Sequence, residues 1–196
     1  MAKKNNQDSN KKNKKGNKKE AEKQVSREPR KNRPGMKKQQ KTVQKMSQQK
    51  GHRKYSFLPN DSIEIMDSHG KKVRIYRIQA LRTFGMGKNK VKVGTLGGYV
   101  GPENLDQKGS CWVKQDCRAF DDSRVEGNAV LENGAQAIGN SIVMGDAIIS
   151  GPIIVDWKAR ISGSIKLISK MPEHVVTEMT GIGTYLFTKD GLKKIR

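Results

Sequence analysis

The sequence predicts an all-β fold organised around a solenoid, and three observations predict it. A six-residue unit repeats ten times without insertion over residues 111–170: CWVKQD, CRAFDD, SRVEGN, AVLENG, AQAIGN, SIVMGD, AIISGP, IIVDWK, ARISGS, IKLISK. The third residue of each unit is apolar: Val113, Ala119, Val125, Leu131, Ala137, Val143, Ile149, Val155, Ile161 and Leu167. The first is small (Cys111, Cys117, Ser123, Ala129, Ala135, Ser141, Ala147, Ala159), with Ile153 and Ile165 as exceptions, and the last two favour corners, as in Gly127-Asn128, Gly139-Asn140, Gly145-Asp146 and Gly163-Ser164. On a strand, residues two apart share a face, so positions one and three point into a core and positions two and four point out. Glycine, asparagine and aspartate tolerate the backbone angles of a tight corner.

These units resemble the hexapeptide repeat of left-handed parallel β-helices, in which three units make one triangular coil of roughly 18 residues. The resemblance implies about three coils, a stack roughly 16 Å tall at the spacing of neighbouring strands. Residues 18 apart should then stack into three inner columns: Val113, Leu131, Ile149 and Leu167; Val125, Val143 and Ile161; Ala119, Ala137 and Val155. Cys111 and Cys117 take the inward small position of successive units, so they are expected as reduced core thiols rather than a disulfide. A C-x5-C pair with no histidine nearby is a weak metal signal, and no metal is expected.

The chain divides into four segments on this reading. Residues 1–54 carry 20 basic and 4 acidic side chains, a net of +16 out of +21 for the whole chain, and no aromatic. So little apolar surface cannot offset the entropy of ordering, and the segment is expected to be a disordered polybasic arm. Its lysines and arginines are candidates for the phosphates of RNA or DNA, bound through the backbone because nothing in the arm stacks on bases. The candidates are Lys11, Lys12, Lys14, Lys15, Lys18, Lys19, Arg30, Lys31, Arg33, Lys37, Lys38, Arg53 and Lys54.

Residues 55–110 are expected to form a small β cap on the first coil. Strands are predicted at 62–66, 72–78 and 90–94, with a turn at Asp67-Ser68-His69-Gly70 and a bend at Gly94, Gly97 and Gly98 that feeds the coil. Gly85-Met86-Gly87-Lys88 lacks the following Ser/Thr and helix of a phosphate loop. The run RIQALRTFGMGKNKVKVGTLGGYVGPENL is similar to the segment, of the form RI-ALR-FG, G-LGGY and ENL, that precedes the repeats in a family of bacterial and phage-encoded hexapeptide-repeat proteins. The likeness spans about residues 55–168, and many of that family are termed acyltransferase-like by fold alone. Residues 111–170 are the β-helix, and residues 171–196 close the chain with a capping hairpin that turns at Lys189-Asp190-Gly191.

Chemistry is sparse. The family resemblance implies, for an enzyme, a histidine base and acyl-CoA lying along the coils of a trimer. The chain has three histidines, His52, His69 and His174; none interrupts the repeats, and only His174 is placed to reach a coil surface. Apolar side chains at outward positions instead suggest an interface. Trp112, Val130 and Ile148 form one outer column, Phe120 and Ile138 another, and Ile142 and Met144 lie on a third face. A homotrimer packed through these faces would gather three basic arms on one assembly. The expectation is therefore a non-enzymatic structural or scaffolding protein, with a phage as a candidate source, that oligomerises and holds nucleic acid without a cofactor. An acyltransferase using acetyl-CoA or another acyl-CoA is the alternative, with His174 its base. No apolar run reaches the length of a membrane span and no secretory signal opens the chain, so the host cytoplasm, or a virion, is the expected location.

Overall fold

The computed structural model describes Lys41, residues 53–170 and residues 174–196, with the backbone alone at 177 and 178. From residue 53 onward these residues are built from strands and a single 3-10 turn, Gly87–Asn89. An antiparallel hairpin, β1 (Tyr55–Met66) and β2 (Lys72–Ala80), is joined on its β2 side by β3 (Leu96–Val100). Seven short strands follow: β4 (Trp112–Val113), β5 (Arg118–Ala119), β6 (Arg124–Val125), β7 (Val130–Glu132), β8 (Gln136–Ala137), β9 (Ile142–Val143) and β10 (Ile148–Ser150). Two long strands, β11 (Ile153–Ser169) and β12 (His174–Thr188), and the short β13 (Gly191–Lys194) complete the order.

Parallel pairing winds these strands into a β-solenoid with three faces. The first face is β3, β5, β8, the start of β11 and the start of β12. The second begins with the bridge of Leu105 to Val125 and continues through β6, β9 and the middle parts of β11 and β12. The third is β4, β7, β10 and the ends of β11 and β12. The expected inner columns are in register, because Val113 pairs with Leu131, Leu131 with Ile149 and Ile149 with Leu167, all fully buried.

The solenoid makes about five turns, not about three. One turn precedes Cys111, where Val100 stacks on Ala119 and Leu105 on Val125. Another follows Lys170, where Val176 stacks on Val155, Met179 on Ile161 and Tyr185 on Leu167. Neither outer turn keeps the 18-residue offset throughout: Val100 to Ala119 is 19, Leu105 to Val125 is 20, and Val155 to Val176 is 21. The partners Val155↔Val176 and Arg160↔Glu178 leave four residues between them on β11 and one on β12, so the last turn cuts that corner.

Corner geometry accounts for the turn residues. The fifth position of a unit takes a left-handed backbone at Asp121, Gly127, Asn133, Gly139, Gly145, Gly151, Trp157 and Gly163, with φ between 58° and 102°. Glycine dominates there because a side chain in this region costs about 1–2 kcal/mol. Trp157, at φ 61°, is the one bulky residue among them.

The N-terminal strands close the first turn. Tyr55, Phe57, Tyr76, Ile78, Ala80, Val91, Leu105 and Trp112 form the upper part of one core shared with the coils. Tyr55 packs edge-on to Phe57 and Trp112, with ring centroids 5.6 and 6.4 Å apart, and its hydroxyl donates to the Leu105 carbonyl at 2.6 Å. Two details differ from the expectation. Residues 90–94 are not a strand: Val91 makes an isolated bridge to Phe84, and the chain turns at Val93-Gly94 before β3. Gly97 and Gly98 lie within β3 rather than in a bend, pressed so close to the coil that a Cβ on Gly98 would sit 2.2 Å from the Cys117 carbonyl oxygen. At the other end β12 and β13 form the expected hairpin, with Phe187 opposite Leu192 and Thr188 opposite Gly191.

Candidate functional site

The basic segment enters the fold at Lys54. Most of its candidate phosphate ligands, Lys11 through Lys38, lie outside the described residues; Arg53 and Lys54 lie within them. Lys54 is 0% exposed, and its ammonium donates to the carbonyls of Lys108 at 3.1 Å and Cys111 at 2.8 Å and to Cys111 Sγ at 3.0 Å. Nζ also lies 5.4 Å from the Phe84 ring centroid. Lys54 is therefore a structural plug and not a phosphate ligand. Burial lowers its pKa, partly offset by Cys111 and Asp106, and burial raises that of the Cys111 thiol. Cys117, also a buried free thiol, is pushed up to about 11 by desolvation.

The outward apolar columns are largely covered by the chain itself. Trp112 and Val130 are each 2% exposed and Phe120 is buried. Phe84, from the loop between β2 and β3, lies 5.4 Å from the Trp112 ring, and Tyr55 flanks the same indole. Trp112 is thus unavailable to a partner, because the loop and β1 fold back over a position that faces outward from the coil. Ile138, Ile142, Met144 and Ile148 stay half-buried. The larger exposed apolar side chains near the chain's end are Val175, Ile182, Leu192 and Ile195, on the last turn and its hairpin.

His174 does not stand free over a coil surface. Its ring packs 4.7 Å from that of Phe187, and Nδ1 lies 3.3 Å from Ser169 Oγ. A different histidine meets a cavity. The tip of the β1–β2 hairpin docks on the corner of the second turn, where Asp121 Oδ2 accepts the Ser68 backbone N–H at 3.0 Å and also the Ser68 hydroxyl. The Asp121 side chain is 6% exposed, and its Oδ1 lies 3.9 Å from His69 Nδ1. Asp67 Oδ1 in turn accepts the backbone N–H groups of His69 at 3.0 Å and Lys71 at 2.7 Å.

Between this tip and the corner column lies a groove of about 540 Å³, within the size range of small-molecule sites. Phe120 and Ile138 line it along with His69, Asp122, Asn140 and Lys158, and Trp157 stands at its edge, 72% exposed. Asp122, Asn140 and Lys158, the last residues of units 18 residues apart, are thus one wall. Asp67, His69 and Asp121 place one ligand atom each within 4.8 Å of one another. Their oxygens already accept hydrogen bonds from Ser68, His69 and Lys71, so the set serves to lock the hairpin to the coil. Nothing in the local sequence announces this meeting, since a hairpin turn and a solenoid corner read alike as polar and exposed.

No helix among the described residues is long and apolar enough to cross a membrane. Comparison with protein-family models and with curated proteins finds no match to this chain.

Proposed function

We propose that this protein is a non-enzymatic β-solenoid scaffold that binds the backbone of RNA or DNA through its N-terminal basic segment. The observation that carries this reading is the charge of residues 1–54, 20 basic against 4 acidic with no aromatic. Such a segment releases counterions from phosphates and gives salt-dependent, sequence-independent binding. The reading extends to a left-handed hexapeptide-repeat fold of the phage-encoded type and to a homotrimer. Half-buried Ile138, Ile142 and Met144 and the exposed apolar residues of the last turn support self-association.

The test uses the full chain with Lys11, Lys12, Lys14, Lys15, Lys18 and Lys19 changed to Gln, titrated with a labelled duplex DNA and a single-stranded RNA at several salt concentrations. The expected result is weaker binding and a shallower dependence of log K on log salt, by about 1 for each phosphate no longer neutralised. Lys54→Met, which keeps the buried stem and removes the ammonium, should lower thermal stability and leave affinity unchanged. Unchanged affinity of the arm variant for both probes would sink the reading, and sedimentation of the same samples reports whether the chain is a trimer.

A second reading, an acyltransferase using acetyl-CoA or another acyl-CoA, is favoured by one observation: His69 lines the groove beside Trp157. His69→Ala should then abolish acetyl-CoA-dependent turnover, and a lack of CoA binding by calorimetry would remove the class.

A further inference from the structure

We infer that the folded body carries a second phosphate-binding surface, a basic groove on the third face of the solenoid. This inference rests on the nucleic-acid reading above. The groove, of about 450 Å³, lies between the 3-10 turn and the C-terminal hairpin. Its cations come from three places in the chain: Lys88 from the turn, Lys166 from the fourth coil, and Lys194 and Arg196 from the last residues.

Long-range structure assembles this set. On the third face Ile148 pairs with Lys166 and Lys166 with Thr184, which lays the floor. Thr184 N–H donates to the Arg196 carbonyl at 2.9 Å and Ile195 N–H to the Thr184 carbonyl at 2.8 Å, fixing the end of the chain against β12. Phe84, seated on Trp112, holds the loop that carries Lys88 into the groove lining. Among the described residues none of these four cations makes an ion pair within 4.0 Å. The one acidic side chain in the groove, Asp146, accepts hydrogen bonds from Asn128 Nδ2 at 2.9 Å and Ser164 Oγ at 3.5 Å. Lys166 still feels the Glu132 carboxylate, but four cations gathered in one groove without a close ion pair favour an extended polyanion.

The groove also connects to the point where the basic segment joins the fold. Leu81 N–H donates to the Lys54 carbonyl at 2.9 Å, and the loop that leaves this point exposes Arg82, Lys88, Lys90 and Lys92. No aspartate or glutamate occurs between Asp67 and Glu103. Lys88 belongs to both this loop and the groove, so one strand of phosphates spans the two. With no aromatic side chain lining it, the groove would contact sugar-phosphate backbone rather than bases. A groove lined by four cations suits a rod of phosphates better than a flat lipid surface.

The test titrates full-length protein with a labelled duplex DNA, a matching single-stranded RNA, and vesicles of phosphatidylserine. Three variants are compared: K88Q/K166Q/K194Q in the groove, the exposed pair K88Q/K194Q as a version that leaves half-buried Lys166 intact, and the six-lysine arm variant. K71Q/K72Q, on the β1–β2 hairpin, is the control, and thermal melts check folding. The triple variant is expected to weaken nucleic-acid binding severalfold and to lower the salt slope by about 2–3, the pair by about 2, and the control by nothing. If the arm variant loses affinity while both groove variants bind with the parent's slope, this inference fails and the function stands. If the arm variant keeps the parent's affinity for both oligonucleotides, the reading above fails, whatever the groove variants do. Groove-dependent binding of vesicles without binding of either oligonucleotide overturns the phosphodiester assignment.

Discussion

Gly151→Ala is expected to abolish cooperative folding, or to destabilise the protein by at least about 4 kcal/mol, a size reserved for a few mechanisms. Gly151 sits at the corner between β10 and β11 with φ 102°, and a Cβ built there lies 1.9 Å from the Ser169 carbonyl oxygen and 2.9 Å from its carbon. Both clashing atoms are backbone of the next turn, so no side-chain rotation relieves them. Retreat in the other direction is blocked as well, because Gly151 N–H donates to the Glu132 carbonyl of the preceding turn at 3.1 Å. Gly134→Ala supplies the comparison. Its φ is 88°, but a Cβ there meets nothing within 4 Å, so only the backbone preference is lost, about 1–2 kcal/mol. Urea unfolding followed by circular dichroism checks the pair. Equal midpoints for the two variants would mean that the turns can slide apart at a corner, against the tight stacking of Gly151 on Ser169.

The second large effect is expected at Trp112, where alanine should cost about 3–5 kcal/mol, as for a buried large aromatic. The indole is 2% exposed and touches three elements: Tyr55 of β1, Phe84 of the covering loop, and β3, where a Cβ on Gly97 would lie 2.7 Å from Cζ2. Removing it leaves a cavity bounded by parts that cannot all collapse inward together. The loop carrying Lys88 should then become a site of early proteolytic cleavage, and binding through the groove should fall with it. Trp157→Ala is the control, since that indole is exposed and its left-handed backbone is already costly. A thermal melt in which Trp112→Ala loses no more than Trp157→Ala would refute the capping role assigned to Trp112.

How much of this could be read from the chain differs from residue to residue. The columns of Val113, Leu131, Ile149 and Leu167, and of Val125, Val143 and Ile161, follow from spacing, and the pairing reproduces them. The first and last turns did not announce themselves. LGGYV lacks the small-apolar alternation of the repeats, and its two glycines read as a bend although their missing side chains are what let β3 close on the coil. In β12 the shortened corner breaks the 18-residue offset, so HVVTEMTGIGTYLF does not join the repeat by counting. Lys54 was indistinguishable from its neighbours in a basic run, and only the carbonyls of Lys108 and Cys111 make it a buried plug. The grooves were equally hidden: His69 meets Asp121 and Lys88 shares a cavity with Lys166 and Lys194 only because the hairpin and the loop fold back onto the coils.

By itself, then, the sequence determined the solenoid, its inward columns, its corner residues and the concentration of positive charge in residues 1–54. All of these depend on local chemistry repeated at a fixed period, in which each unit carries its own strand, anchor and corner. The tertiary structure alone decided that there are five turns, that Trp112, Val130 and Phe120 are covered, that Lys54 is enclosed, and where two grooves form. Those outcomes depend on contacts between segments far apart in the chain, and whether an outward side chain is buried is set by what lands on it rather than by the direction in which its own strand points it.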